Sequence, residues 1–262
     1  MIIDCHTHIL NENILREYLE KRQVDKMLCI RIFKGFCGGV FDNSDEGFDE
    51  FIDKHDNLYS IECIDFNTNI LAQLDSLREK MEKTEKIKGL KLYPGYQHFY
   101  PYHERVLPVY NFAREFNIPV IFHSGALYEY KNSEALLQYT NPVYVDEAAT
   151  RFNETRFVIS HFGFPYMFEA AMVVNKNNNV FTDISGVIDT EECFEVYKDD
   201  LKKILKYYPG IVPQIMFGTD FMGKDTVLSE IDLYVRVVEE VFSPEDRELV
   251  FYKNAQRVYK LK

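Results

Sequence analysis

Short runs of apolar, β-branched and aromatic residues recur about every thirty residues along the chain, each bounded by polar or turn-forming residues. Runs of this kind are typical of buried strands. The pattern predicts strands over 2–8, 27–33, 58–65, 87–93, 118–123, 157–161, 180–185 and 215–220. Between them lie segments with helical periodicity and charged faces, such as 67–84 and 103–116. A capping pattern, Ser243 followed by Asp246, predicts the start of another helix.

Strand–helix alternation predicts parallel strands joined by right-handed crossovers. Eight such units in 262 residues fit a closed (β/α)8 TIM barrel, so we expect residues 1–262 to form one domain. A doubly wound open sheet is the alternative. It would place a glycine-rich phosphate turn after the first strand, where "HTHILNENI" has no glycine. Residues 35–47 form the most loop-like insertion, either a lid over the barrel or a solvated loop.

The composition and charge of the chain limit the classes of molecule that it is expected to bind. Hydrophobic residues make up 46% of the chain, enough for a large core. The formal charge of −12 argues against nucleic acid and anionic membranes, and we expect a small-molecule substrate instead. No secretory leader or membrane span is visible, and the five cysteines form no CxxC pair, so we expect a cytoplasmic protein with reduced thiols. The apolar segment 167–174 allows a homodimer.

Candidate chemistry begins in the first predicted strand. Alternation predicts that Asp4, His6 and His8 share the inward face, while Ile3, Cys5 and Thr7 face the helices. His123, His161 and Asp220 end the fifth, sixth and eighth strands, where active sites of barrels lie. A single strand-end histidine is usually structural. Two such residues on the first strand and three on others instead predict a metal site.

The ligand set favours a particular kind of ion. Nitrogen ligands with one carboxylate and no thiolate suit Zn²⁺, with Mn²⁺, Fe²⁺ or Ni²⁺ as alternatives. Such an ion activates a water molecule, and Asp220 is the candidate to take and deliver its proton. On the fourth strand, Lys91 is predicted to point inward with Gly89 and Tyr93. It could bind an anionic group, be carboxylated and bridge two metals, or be structural, either forming an ion pair within the site or extending to the rim of the site.

These motifs resemble the amidohydrolase superfamily, most closely the amidohydrolase-related (amidohydrolase 2) branch of metal-dependent hydrolases and decarboxylases. The likeness covers essentially the whole chain. It is carried by "DCHTH", "KGLKLYP", "IPVIFHSG", "VISHFG", "FTDISG", "MFGTDF" and "KNAQRVYKL".

The resemblance implies that His6, His8 and Asp220 hold the deepest metal. In one-metal members His123 is a further ligand and His161 orients the attacking water. In two-metal members a carboxylated Lys91 bridges the ions, and His123 and His161 hold the second. We expect one metal ion in the site, with two ions as the alternative.

Substrate contacts have no motif support. We expect them from Lys91, Tyr93 and Asp183, with Ser185 on the same strand as Asp183. The loop after the fourth strand offers further candidates, namely Tyr96, His98, Tyr100 and His103.

The first functional hypothesis is metal-dependent hydrolysis of a small amide, cyclic amide or lactone, with Asp220 and His161 as catalytic residues. The second is a non-oxidative decarboxylase of an aromatic or unsaturated acid. A phosphoesterase would need early ligands such as Asp45, Glu46 and His55, which fall in a predicted helix or loop. A metal-binding protein without catalysis is disfavoured by Asp220, which is both ligand and plausible acid–base.

Overall fold

The computed structural model describes residues 1–8, 13, 15–16, 18–19, 24–36, 47–128, 134–222 and 228–262. Most of the predicted loop over 35–47 lies outside this part of the chain, as do Asp45 and Glu46. His55 is described and follows a helix, whereas His6, His8, His123 and His161 lie on or just after strands.

Eight parallel strands lie side by side in sequence order, which confirms the predicted (β/α)8 TIM barrel. The strands are β1 Ile3–Thr7, β2 Lys26–Arg31, β3 Leu58–Cys63, β4 Ile87–Leu92, β5 Val120–Phe122, β6 Phe157–Ile159, β7 Val180–Asp183 and β8 Ile215–Met216. Backbone hydrogen bonds join the first strand to the last. Cys5 N donates to Phe217 O at 3.1 Å, and Asp220 N donates to His6 O at 2.8 Å.

Helices fill the connections that the sequence pattern marks as helical. The α-helices whose full extent the structure describes are α1 Phe48–Lys54, α2 Ile70–Met81, α3 Pro94–Gln97, α4 Leu107–Phe116, α5 Tyr144–Arg151, α6 Met167–Lys176, α7 Glu191–Tyr207, α8 Leu228–Val241, α9 Pro244–Glu248 and α10 Asn254–Tyr259. A π-helical stretch, Leu249–Lys253, joins α9 to α10. Ser243 caps α9 as predicted, since its side chain accepts from Asp246 N at 3.2 Å. None of the described helices is both long and apolar enough to cross a membrane.

The floor of the barrel interior is apolar. One buried cluster takes side chains from seven strands and from the C-terminal helix, namely Ile3, Cys5, Leu28, Ile30, Ile61, Ile121, Val158, Phe181, Met216, Ala255, Val258, Tyr259 and Leu261. β4 contributes only Gly89 at this level, where a Cβ would lie 2.7 Å from Ile121 Cδ1. The last helix therefore closes the N-terminal end of the barrel.

The predicted facing of β1 is wrong for Ile3, Asp4 and Cys5, although His6 and His8 do face the cavity as predicted. Ile3 and Cys5 pack in the barrel floor, whereas Asp4 accepts from Tyr18 Oη in the helical layer at 2.5 Å. The pairing with β2 shifts by one residue between Asp4 and Thr7, which is the mark of a β-bulge. A bulge breaks the two-residue alternation of a strand, so His6 reaches the barrel interior although Asp4 faces outward.

Candidate active site

A cavity of about 140 Å³ lies at the C-terminal ends of the strands. Its polar lining consists of six residues singled out in the sequence, namely His6, His8, Lys91, His123, His161 and Asp220. Its other walls are mostly aromatic and apolar, formed by Ile32, Phe36, Tyr93, Tyr96, Tyr128 and Met222. The predicted strand ends therefore do meet in one place.

Three of these residues form a tight group. Asp220 Oδ1 lies 3.2 Å from His6 Nε2 and 3.1 Å from His8 Nε2. Each offers one ligand atom, and these three atoms all lie within 4.8 Å of one another. His6 and His8 are buried, while the Asp220 side chain is 27% exposed. The carboxylate is thus reachable from the cavity, with two imidazoles beside it.

Asp220 is held in an unusual backbone conformation. Its φ of 63° lies in the left-handed region, which costs free energy for a residue other than glycine. The hydrogen bond from Asp220 N to His6 O fixes that turn. Asp4 supports it from outside the barrel, accepting from Thr219 N at 3.1 Å and from Thr219 Oγ1 at 2.6 Å. Burial raises the pKa of Asp4 to about 6.

His161 and His123 form a second pair. His161 has a φ of 60°, and its Nε2 lies 3.2 Å from His123 Nδ1. The other nitrogens of both rings contact backbone carbonyls, Nδ1 of His161 with Ser185 O at 3.1 Å and Nε2 of His123 with Ala126 O at 2.8 Å. Because a carbonyl only accepts, the neutral rings turn lone pairs toward each other.

Lys91, on β4, is fully buried and lines the inner part of the cavity wall. Its Nζ donates to Ser160 Oγ at 2.5 Å and lies 3.4 Å from His6 Nε2. Among the described residues, no carboxylate oxygen comes within 4.0 Å of Nζ, so the predicted structural ion pair is not formed there. Burial lowers the pKa of Lys91 to about 8, against the opposing effect of Asp183 and Asp220.

Lowered pKa values keep three of the four imidazoles neutral, the form in which they can bind a metal, whereas the pKa of His6 is raised. Burial lowers the pKa of His8 and His123, and it lowers the pKa of His161 to about 4. Burial raises the pKa of Asp220, but His6 and His8 outweigh it and hold that pKa well below its ordinary value. For His6, burial and Lys91 lower the pKa, whereas Asp183 and Asp220 raise it more.

These groups fit a divalent cation. His6 Nδ1 contacts Asp183 Oδ2, an acceptor, at 3.2 Å, so the neutral ring directs the Nε2 lone pair at Asp220 Oδ1. Acceptors 3.2 Å apart repel each other unless a cation or proton lies beside them. Imidazole nitrogens with one carboxylate are a donor set that Zn²⁺ accepts.

Asp183 lies outside the cavity lining and is only 1% exposed, so its position does not favour the predicted substrate contact. It stands behind His6 with Ser185, whose Oγ lies 3.0 Å from Nδ1 of both His6 and His161. Of the loop candidates, Tyr96 lines the cavity. The other three, His98, Tyr100 and His103, do not appear in its lining, and His98 instead contacts Glu134 O at 2.6 Å.

Some residues of the site could not be found by sequence reasoning. Ser160 contacts Lys91, and Phe36 walls the cavity from the loop after β2. Gly186 has a φ of 72°, and a Cβ there would lie 2.5 Å from His161 Nδ1. The residue type of each does not by itself indicate a functional role, because each contributes to the site only through its contacts with residues distant in the sequence.

The amidohydrolase family model (Amidohydro_2) matches residues 3–261. The chain belongs to the amidohydrolase family. It is accordingly an enzyme, with the barrel and strand-end residues that its sequence predicts. No curated protein matches the sequence significantly.

Solved structures share the fold at low identity. An amidohydrolase from Burkholderia multivorans with bound zinc is 13% identical, with all of both chains covered and a TM-score of 0.73. A putative 2-pyrone-4,6-dicarboxylic acid hydrolase from Pseudomonas putida is 15% identical, with 100% of this chain and 98% of that one covered and a TM-score of 0.69. For 5-carboxyvanillate decarboxylase from Sphingomonas paucimobilis the identity is 11%, the coverage 100% and 99%, and the TM-score 0.66.

Proposed function

We propose that this amidohydrolase is a metal-dependent hydrolase of a small carbonyl compound, an amide, cyclic amide or lactone. The observation that carries the proposal is the convergence of His6 Nε2, His8 Nε2 and Asp220 Oδ1 at a cavity with apolar walls. We propose Zn²⁺ as the ion and one ion per site. When bound, it supplies an activated water and polarises the substrate carbonyl.

The side chains of the site divide the remaining work. Asp220 is placed to accept a proton from the attacking water and to return it to the leaving group, since its carboxylate is partly exposed to the cavity. His161 Nε2 offers a lone pair on the same side, which can orient that water. The ammonium group of Lys91 can donate to the oxygen on which negative charge develops.

The walls favour a flat substrate. Phe36 packs on Tyr93 with ring centroids 4.4 Å apart and on Tyr96 at 5.0 Å. Tyr93 also lies nearly parallel to His123, at 5.8 Å. Aromatic rings in such a wall contact a planar unsaturated body over most of its surface. We therefore expect cyclic, conjugated carbonyl compounds to bind better than flexible aliphatic ones.

The alternative is decarboxylation of an aromatic or unsaturated acid, and Lys91 is the observation that favours it. It is the single cation among the described residues that line the cavity. One of its Nζ hydrogens already goes to Ser160 Oγ, however, and the described lining offers a carboxylate no second cation with which to pair. For this reason we rank hydrolysis of a neutral carbonyl compound above decarboxylation of an acid.

One experiment separates the two reactions. Purified protein is analysed for bound metal and then screened, with Zn²⁺ added, against lactones, cyclic amides and aromatic acids in ¹⁸O-labelled water. Hydrolysis is expected to place the label in the product, with no CO₂ released. Release of CO₂ without label in the product would replace the hydrolase by the decarboxylase. Absence of stoichiometric metal binding would remove both.

A further inference from the structure

The backs of His6 and His161 are joined through the end of β7. Asp183 Oδ2 lies 3.2 Å from His6 Nδ1, and Ser185 Oγ lies 3.0 Å from Nδ1 of each ring. Asp183 is 1% exposed and Ser185 is completely buried. Water therefore does not compete for these hydrogen bonds, and the arrangement of protons among them is determined by the protein alone.

The two oxygens of Asp183 have different partners. Oδ1 accepts from three donors, His161 N at 2.9 Å, Ser185 N at 3.2 Å and Ser185 Oγ at 2.5 Å. Oδ2 faces only His6 Nδ1 among the described residues. Since Oδ1 is already occupied by two backbone N–H groups and one hydroxyl, the contact of Oδ2 with His6 is the one in which Asp183 controls an imidazole proton.

Matching donors to acceptors in the same way also determines the role of Ser185. Its hydroxyl has one proton, which it donates to Asp183 Oδ1. Its oxygen is then an acceptor for Nδ1–H of His6 and of His161. All six contacts around this cluster are satisfied by a single assignment, with a proton on Nδ1 of both rings.

We propose that Asp183 is a positioning residue that fixes His6 as the Nδ1–H tautomer, and that Ser185 Oγ supports it by accepting from Nδ1–H of both His6 and His161. The Nε2 lone pairs of both rings then face the cavity. Because metal ions bind the unprotonated nitrogen, the cluster prepares His6 for ligation before an ion arrives. The inference deepens the proposed function but rests on it only for the metal readout.

Asp183→Asn is the decisive variant because the amide must orient itself. Its oxygen has to remain at the Oδ1 position, where three donors point. Its NH₂ group then faces His6 Nδ1 and forces that nitrogen to accept. The proton moves to Nε2, toward Asp220 and the cavity. His161 keeps its tautomer, since the Ser185 carbonyl still accepts from its Nδ1.

The tautomers are read by ¹⁵N NMR of histidine-labelled, metal-free protein at a pH above the titration of its imidazoles. Signals are assigned with His6→Gln and His161→Gln. In the native protein both Nδ1 atoms should be protonated. In Asp183→Asn the proton should move to Nε2 on His6 alone, and zinc affinity should fall by about 100-fold. A native His6 protonated on Nε2, or an unchanged tautomer in the variant, overturns the proposal.

Two further variants separate this role from general loss of structure. Ser185→Ala should keep both tautomers and weaken zinc binding by about tenfold, because Asp183 loses a donor. Thr182→Val is the matched control on the same strand. It removes a buried hydroxyl that donates to Ile159 O at 2.8 Å, and zinc affinity should stay within about twofold of native. An equal loss in Thr182→Val would make the effect structural and overturn the proposal. The tautomers need neither metal nor turnover, so they are read even if the proposed reaction is wrong.

Discussion

At the N-terminal ends of its strands the barrel interior holds an apolar cluster that α10 closes, whereas at the C-terminal ends it holds six polar side chains around a cavity. The same strands supply both layers. β4 contributes Gly89 at the level of the floor and Lys91 at the cavity, and β7 contributes Phe181 to the floor and Asp183 behind His6. Residues two positions apart on one strand therefore belong to different layers, one that stabilises the fold and one that forms the site. Variants in the lower layer should lose stability, and variants in the upper layer should lose activity.

The largest effect is expected in the upper layer. Asp220→Asn should lower turnover by about 10²–10⁴-fold, because the variant loses its proton acceptor. Metal-free protein should unfold at nearly the native temperature, because asparagine also tolerates the left-handed φ of 63° at this position. Turnover and thermal unfolding are the measurements, and surface Asp199→Asn is the control. Retained turnover would exclude Asp220 as the acid–base.

The lower layer should give the opposite result. Ile61→Ala removes a completely buried side chain from the floor, and we expect a loss of about 2–5 kcal/mol in the free energy of unfolding. Turnover per folded molecule should not change. Denaturant unfolding measures the loss, with exposed Leu71→Ala as the control. If Ile61→Ala weakened zinc binding while remaining folded, the two layers would not be independent.

A third variant tests the contact between backbone and site. Gly186→Ala places a Cβ 2.5 Å from His161 Nδ1 and 2.9 Å from Asp220 Oδ2, at a φ of 72°. The left-handed conformation alone should cost about 1–2 kcal/mol of stability, and the displaced imidazole should lower turnover at least tenfold. Gly210→Ala, where a Cβ meets nothing within 4 Å, should change neither quantity. Native turnover in Gly186→Ala would show that His161 does not need its present position.

The smallest effect is expected outside the barrel. Tyr18→Phe removes the hydrogen bond to Asp4 Oδ2 but leaves the donors from Thr219 in place. Stability should fall by about 1–2 kcal/mol, with zinc affinity nearly native. Thermal unfolding and zinc titration measure the two quantities together. A large loss of zinc affinity would extend the site into the helical layer.

The fold was predictable because strand composition and spacing are local signals. All eight strands occur within the predicted ranges or within a residue of them, and each ends one to four residues earlier than predicted, β6 by two and β8 by four. The predicted strand ends there, His161 and Asp220, have positive φ and cannot continue a strand. The residues that carry the chemistry are the ones that leave the regular conformation, so boundaries are least predictable at the site.

The facing of β1 could not be predicted, because a bulge has no signature in "IIDCHTH". The role of Asp183 was missed for another reason. Its inward face was predictable from alternation, but only the folded barrel shows that His6 lies between it and the cavity. Sequence identifies the strand and the face, whereas depth along the barrel axis is a tertiary property.

The placement of Asp220 against His6 and His8 has a consequence for assembly. These ligands come from opposite ends of the chain, and they meet where β1 adjoins the segment after β8. An ion bound by all three would therefore crosslink β1 to the segment after β8, and this crosslink would close a loop that contains most of the polypeptide. Its binding energy would oppose separation of the first and last strands, so the ion would stabilise the closed barrel in addition to its role in catalysis.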